Sequence, residues 1–115
     1  MKTWLTVLGL MACSMAHADL ETASQNLGNC VVGYAESQIH TSKEASKVSE
    51  EAFTVCTRQL TELHDSIGPD KSQWVSLNEQ QKQSITKIRD QTTLKIREQM
   101  SSQIVKYISE SRSKR

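Results

Sequence analysis

Residues 30–56, CVVGYAESQIHTSKEASKVSEEAFTVC, are the stretch of this chain that decides its fold. Cys30 and Cys56 bound the stretch and are equally distant in sequence from Lys43, which lies in a short polar segment. If the two flanks form an antiparallel helical hairpin, both cysteines lie at the same height, about 20 Å from the turn. The sequence therefore predicts a helical hairpin that is closed by a Cys30–Cys56 disulfide.

Two glycines near Cys30 affect how closely the two helices can approach for this pairing. Neighbouring helix axes lie about 8–10 Å apart, whereas a disulfide needs Cα atoms within about 7 Å of each other. Gly28 and Gly33 flank Cys30, and we expect them to allow the closer approach. The alternatives are two buried free thiols or a redox-active pair, although the chain has no Cys-x-x-Cys motif.

Apolar residues recur three and four positions apart along most of the chain, which is typical of helices with one buried face. A capping box of Thr41 and Glu44 predicts a helix start, and Gly68 followed by Pro69 predicts a helix end. Asp70 or Ser72 can cap the helix that follows. The predicted segments are helix A at 20–40, helix B at 42–67, helix C at 72–111 and a frayed basic tail at 112–115.

The predicted fold class is all-α, an antiparallel hairpin joined by one disulfide and accompanied by a long third helix. Only the first part of helix C is expected to lie along the hairpin. A break within 90–93 would fold its last part back and convert the three-helix arrangement into a four-helix bundle. The single proline and the few glycines leave little material for the turns of a β-sandwich.

The N-terminus has the pattern of a secretory signal peptide, residues 1–18. Lys2 precedes an apolar run, and Ala16 and Ala18 form a small-residue cleavage box. The mature chain is then 19–115, exported to the periplasm of a Gram-negative bacterium, where disulfides form. The alternative is a lipid-anchored envelope protein, because the residues before Cys13 resemble a lipobox.

Charge is divided unevenly along the chain. Residues 19–70 contain nine acidic and three basic residues, whereas residues 71–115 contain ten basic and four acidic residues. We expect the acidic half to fold against the basic half. The alternative is a basic half that faces an acidic partner or an anionic membrane surface. Export argues against a nucleic-acid partner, and membrane contact is expected only if Cys13 is lipidated.

The sequence contains few residues arranged for chemistry. His40 and His64 are expected to lie too far apart to share a metal ion, and neither has neighbours at ligand spacing. The chain has no nucleophile-elbow, P-loop or zinc-protease motif. We therefore predict no catalytic residue, no metal site and no cofactor, and we do not expect an enzyme.

The second half of helix C is predicted to present an apolar stripe that the hairpin does not cover. Such a stripe indicates a partner protein or a homodimer through helix C. An amphipathic membrane anchor is a third alternative, but the basic residues of helix C do not form one stripe, which argues against it. The candidate contact residues are Trp74, Ile96, Met100, Ile104 and Tyr107.

Two short motifs carry a resemblance to known proteins. Cys30-Val31-Val32-Gly33-Tyr34-Ala35, followed by the alanine-spaced segment 44–56, resembles small secreted bacterial helical proteins that have no assigned function. The Cys-x-x-Gly-Tyr piece is also similar to one in periplasmic immunity proteins of type VI secretion effectors, which are helical and contain disulfides. The chain departs from the latter because it has no Cys-x-Pro.

These observations predict a periplasmic, non-catalytic protein-interaction module of the inhibitor, immunity-protein or envelope-adaptor type. The alternatives are a periplasmic holdase chaperone, or a small lipoprotein or pilotin if Cys13 is lipidated.

Overall fold

The computed structural model describes residues 18–114. Except for Ala18 at its end, the predicted signal peptide lies outside the described residues. The cleavage-box residue Ala16 and the alternative lipidation site Cys13 lie outside them too. Within 18–114 the chain forms helices and no β-strand. The helices are α1 (Ala18–Ser37), α2 (Ala45–Val55), α3 (Thr57–Ser66), α4 (Lys71–Val75) and α5 (Glu79–Ser113).

The all-α class and the hairpin with a long additional helix are confirmed. Helix α1 packs against α2 and α3, and α5 packs mainly against α2. The core between them is small and aliphatic except for one phenylalanine, a cysteine and a buried serine. Its members are Ala23, Leu27, Val31, Ala35, Val48, Ser49, Ala52, Phe53, Cys56, Leu63, Ile67, Ile104 and Ile108. No helix among residues 18–114 is long and apolar enough to cross a membrane.

The Cys30–Cys56 disulfide is present and joins α1 to the junction between α2 and α3. The Sγ–Sγ distance is 2.06 Å and the Cα–Cα distance is 6.0 Å. The expected role of the glycines is wrong, because a Cβ atom added at Gly28 or Gly33 would meet no heavy atom within 4 Å. Both glycines face open space, whereas the small side chains in the core are alanines, such as Ala52.

The predicted helix B is in fact two helices, which meet at Cys56. Its backbone, at φ −96° and ψ 28°, departs from helical geometry. The hydroxyl of Thr57 donates to the carbonyl of Thr54 at 2.6 Å, a local bond of the kind that bends helices. On either side of this bend, α2 and α3 each pack on both α1 and α5, and α3 packs mainly on α1.

The predicted capping box at Thr41 is also wrong. Helix A ends at Ser37, not at residue 40, and Thr41 donates to the carbonyl of Gln38 at 2.8 Å. Glu44 is the N-cap of α2 and makes no side-chain capping bond. Thr41 therefore belongs to the turn that follows α1. Its hydroxyl bonds to the backbone of this turn instead of capping α2.

The turn after α3 agrees closely with the prediction. Helix α3 ends at Ser66, and Gly68 has a φ of +88°, the left-handed conformation that glycine adopts readily. Of the two predicted caps, Asp70 is the N-cap of α4, and it forms a capping box with Gln73. Hydrogen bonds from Ser72 and from the backbone of Gln73 lower the pKa of Asp70.

The predicted helix C breaks at 76–78, not at 90–93. The side chain of Asn78 accepts a hydrogen bond from the backbone N–H of Gln81, and the side chain of Gln81 accepts one from the backbone N–H of Asn78, so a second capping box starts α5. From there α5 is continuous through 90–93 to Ser113. The sequence contained the signal, because Asn78 and Gln81 have capping-box spacing.

The end of α5 that packs on the hairpin is the opposite of the one expected. Ile104 is 3% exposed and Ile108 is 0% exposed, and the hydroxyls of Ser49 and Ser101 lie 2.6 Å apart. The C-terminal half of α5 is therefore part of the core. The expectation failed because the turn and α4 occupy residues 67–78, so α5 comes alongside the hairpin only later in the chain.

Two arginines of α5 support the turns at either end of the hairpin. Arg89 donates to the carbonyls of Asp65, Ile67 and Pro69. Arg112 donates to four carbonyls in the α1–α2 turn, those of Gln38, Ile39, Thr41 and Lys43. The predicted frayed tail is therefore wrong at Arg112, which lies within α5.

We expect Arg112→Ala to lower the free energy of unfolding by about 2–3 kcal/mol, because the charged donors to four carbonyls of the α1–α2 turn are lost. Arg112→Lys is expected to recover little, since one ammonium cannot reproduce the planar fork. Urea denaturation measures both effects, and the exposed Lys114→Ala is the matched control. Equal stabilities of the Arg112→Ala and Lys114→Ala variants would contradict this role.

Candidate interaction groove

The predicted contact residues are divided among three environments. Trp74 lies away from the others, with the Arg89 guanidinium 4.7 Å and the Lys82 ammonium 5.8 Å from its ring centroid. Ile96 and Met100 pack against the core, and Ile104 is buried within it. The uncovered stripe is therefore wrong, because its residues face the hairpin. Tyr107 is 37% exposed and stays on the surface.

A groove lies between α1 and α5, and three of these residues line it. Its volume is about 280 Å³. Helix α1 contacts α5 less extensively than it contacts α2 or α3, which leaves the space between them open. The lining residues are Gly28, Val31 and Val32 from α1, and Met100, Gln103, Ile104 and Tyr107 from α5.

The floor of the groove is apolar and rigidly placed. Val31 and Ile104 are buried, so their exposed edges are small and their positions are fixed by the core. Val32 and Tyr107 stand partly exposed on the two sides. Gly28 makes a notch in the α1 wall, since nothing fills the position where its side chain would be.

The groove is uncharged along its length. Its lining residues include no aspartate, glutamate, lysine, arginine or histidine, and residues 22–35 of α1 contain no charged side chain. At one end the Tyr107 hydroxyl donates to the Glu36 carboxylate at 3.3 Å. Sequence reasoning missed the α1 wall, although a long uncharged run with two glycines in a helix was a visible signal.

Apart from the groove, a polar cluster joins α3 to α5 at His64. Its Nε2 lies 2.7 Å from Oδ1 of Asp90, and its Nδ1 lies 3.0 Å from Oδ1 of Asp65. The hydrogen bond with Asp65 is the largest cause that raises the pKa of His64; partial burial opposes it and Asp90 adds to it. Only the protonated ring donates to both carboxylates.

This cluster predicts a pH-dependent contribution to stability. Because the folded-state pKa of His64 is raised, the stabilisation is complete below the unfolded-state pKa, about 6.5, and is lost as pH rises through the folded-state pKa. We expect Asp90→Asn to cost about 0.5–1 kcal/mol near pH 6 and clearly less near pH 8.5. Urea denaturation at both pH values tests this, with the exposed Glu98→Gln as control. A cost that does not change with pH would contradict it.

Another polar cluster links α1 to α2. Glu51 accepts hydrogen bonds from the Tyr34 hydroxyl at 3.2 Å and from the Lys43 ammonium at 3.1 Å. The bond with Lys43 is the main cause that lowers the pKa of Glu51, and the same bond raises the pKa of Lys43. The cluster is a brace near the α1–α2 turn, and its groups are engaged with one another.

Other depressions lie on the described surface. One of about 530 Å³ beside Trp74 and Lys82 is shallow and mostly apolar, and another of about 430 Å³ beside Asp19 and Asp70 is deeper and mostly polar. Within residues 18–114 no group of three or more histidine, cysteine, aspartate or glutamate side chains is placed to hold a metal ion. We take the α1–α5 groove as the candidate site because buried core residues, Val31 and Ile104, form its floor.

Searches of protein-family models, of curated proteins and of solved structures found no match to this chain. The groove is therefore interpreted from its own shape, lining and charge.

Proposed function

We propose that the protein is an exported, non-catalytic interaction module that binds a helix of a partner protein in the α1–α5 groove. The supporting observation is the groove itself, which has an apolar floor, uncharged walls and an open notch at Gly28. Helix-in-groove recognition uses such a site, because one apolar ridge of an amphipathic helix fills it.

The size of the groove favours a slender ligand. A volume of about 280 Å³ accommodates a few aliphatic side chains, and it lies near the lower end for ligand pockets. A stable dimer of globular subunits usually buries about 800 Å² per partner. A single helix presents a narrower surface than a globular subunit, so a groove of this size suits a helix better.

The proposed compartment is the periplasm. The N-terminal signal-peptide pattern supports export, and the Cys30–Cys56 disulfide is typical of proteins that fold in an oxidising compartment. A partner helix would then belong to another exported protein or to the periplasmic part of an envelope protein.

Two glycines of α1 provide a matched test of the groove. Both lie inside the helix, and an added Cβ atom meets open space at both, but only Gly28 lines the groove. Gly28→Phe should fill the groove, whereas Gly33→Phe should leave it open. We expect both variants to remain folded, because neither phenylalanine displaces the core. Far-UV circular dichroism and the urea midpoint verify this.

Binding is then read by photo-crosslinking in the periplasm, from a benzoylphenylalanine placed at Gln103 in the groove or at Leu94 on the exposed face of α5. We expect a protein adduct from position 103 and none from position 94. Gly28→Phe should abolish the adduct, and Gly33→Phe should preserve it. An adduct that forms equally in the Gly28→Phe variant would contradict the proposed site.

A further inference from the structure

Residues 68–90 form an arm beside the hairpin, made of the turn after α3, helix α4 and the first part of α5. None of the residues 68–103 is buried, whereas Ile104 and Ile108 in the second half of α5 lie in the core. Segments with little buried apolar surface open locally at a lower free-energy cost than the core does. We therefore expect the arm to open more readily than the core-packed half of α5.

Polar contacts fasten the arm to the end of α3. The guanidinium of Arg89 donates to the backbone carbonyls of Asp65 and Ile67. The carboxylate of Asp90, the next residue, lies 2.7 Å from Nε2 of His64. Arginine keeps its charge at every pH at which proteins fold, whereas histidine titrates near neutrality. The Arg89 contacts are therefore constant, and the His64 contact depends on pH.

Protonation decides what the His64 ring can bond. Its Nε2 faces Asp90, and its Nδ1 lies 3.0 Å from Oδ1 of Asp65. The protonated ring donates to both carboxylates, but the neutral ring has one N–H and turns a nitrogen lone pair toward the other carboxylate. The hydrogen bond with Asp65 is the main cause of the raised pKa of His64. The paired state is therefore complete at acidic pH and is lost as pH rises through this pKa.

The charged groups around His64 keep their charge while it titrates. Asp65 and Asp90 face the ring from α3 and α5. The other charged residues that line the two depressions beside these aspartates are Asp19, Asp70, Lys71, Glu79, Lys82 and Lys87. Carboxylates and lysines titrate far from neutrality. The other histidine of the described residues, His40, lies in the α1–α2 turn at the opposite end of the hairpin.

We propose that the His64–Asp90 contact is a pH-dependent latch, which holds the arm on the hairpin while His64 is protonated and lets it open more often when His64 is neutral. The second half of α5 stays in the core in both states, because Ile104 and Ile108 anchor it. The α1–α5 groove takes its α5 wall from that half and persists when the arm opens. The latch therefore does not depend on the proposed function.

Amide hydrogen exchange of the oxidised protein, followed by NMR at about pH 6 and about pH 8, tests the latch. Protection factors already correct for the direct effect of pH on exchange. For amides 85–90 they should fall about three- to fivefold between the two pH values. Low urea should leave this exchange unchanged, as it does for a local opening. Amides 104–108 should instead exchange through global unfolding and respond to urea.

Two aspartate variants provide a matched pair. Asp90→Asn should remove the pH dependence from amides 85–90. Asp65→Asn should keep it and move its midpoint to lower pH, because Asp65 lies on α3 beside His64 and its side chain does not join α3 to α5. The α-amino group that export would leave at Asp19 also titrates near pH 8, and both variants retain it. A pH effect from that group would therefore survive in Asp90→Asn.

The outcomes decide for or against the latch. Equal protection of amides 85–90 at both pH values would overturn it, and so would a fall that persists in Asp90→Asn. A fall with the same urea dependence as that of amides 104–108 would also overturn it, because His64 would then act on global unfolding alone. A urea-independent fall that Asp90→Asn removes and Asp65→Asn retains is the expected result.

Discussion

Replacing Cys30 and Cys56 together with alanine is expected to lower the free energy of unfolding by about 3–4 kcal/mol. The disulfide closes a loop with a sequence separation of 26, and opening it returns conformational freedom to the unfolded chain. This loss is a large share of the total stability, because the aliphatic core is small and a domain of this length has little stability in reserve. Alanine is chosen because Cys56 is fully buried and a serine hydroxyl would add its own cost.

Urea denaturation followed by circular dichroism measures the change. The wild-type protein kept reduced throughout should match the double variant, because both lack the same covalent bond. If the double alanine variant retained the stability of the oxidised wild type within about 0.5 kcal/mol, the disulfide would not be the main brace of the hairpin.

Ile108→Ala is expected to cost about 2–5 kcal/mol, the range for large-to-small changes in a core. Ile108 is 0% exposed, and its removal opens a cavity where the C-terminal part of α5 packs on the hairpin. The matched control is Ile88→Ala on the same helix. Ile88 is 53% exposed, so we expect its replacement to cost less than about 1 kcal/mol.

The comparison of these two isoleucines also tests which end of α5 belongs to the core. Equal costs would mean that the C-terminal half of α5 is not packed on the hairpin. The reverse order would place the N-terminal half there, as the sequence pattern alone suggested. Urea midpoints of the two variants, with oxidised protein, are sufficient to decide.

The parts of the fold that were predictable from sequence rest on local or symmetric signals. The equal spacing of Cys30 and Cys56 around Lys43 indicated both the hairpin and the disulfide. Gly68 and Asp70 carry conformational and capping preferences that act within a few residues. Such signals depend little on the rest of the molecule, and the structure agrees with these. The exception is the capping box predicted at Thr41 and Glu44, a local signal that the structure does not use.

The errors arise where packing between distant segments decides the outcome. The bend at Cys56 accompanies the packing of both α2 and α3 on α1 and α5, which no local pattern specifies. Which part of α5 packs on the hairpin depends on how many residues the segment between Pro69 and α5 takes up. The break before α5 is different, because a local signal was present: Asn78 and Gln81 have capping-box spacing. The prediction of one continuous helix followed the apolar spacing across this break instead.

The candidate site was predictable only on its α5 side. Met100, Ile104 and Tyr107 were expected to be contact residues and do line the groove, although Ile104 is buried at its floor. The α1 wall was missed because Gly28 was assigned to the approach of the disulfide. Its open surroundings became visible only once the orientation of α1 was known.

The central claim is that a helix binds between α1 and α5, and the amide resonances of the two glycines test it most directly. We would titrate the oxidised, isotopically labelled protein with an amphipathic helical peptide of about 16 residues that has one leucine and alanine face, and we would follow Gly28 and Gly33. The account predicts that the resonances of Gly28 and Gln103 shift while those of Gly33 and Ile88 stay in place. Shifts confined to Gly33 or Ile88, or none at saturating peptide, would contradict it.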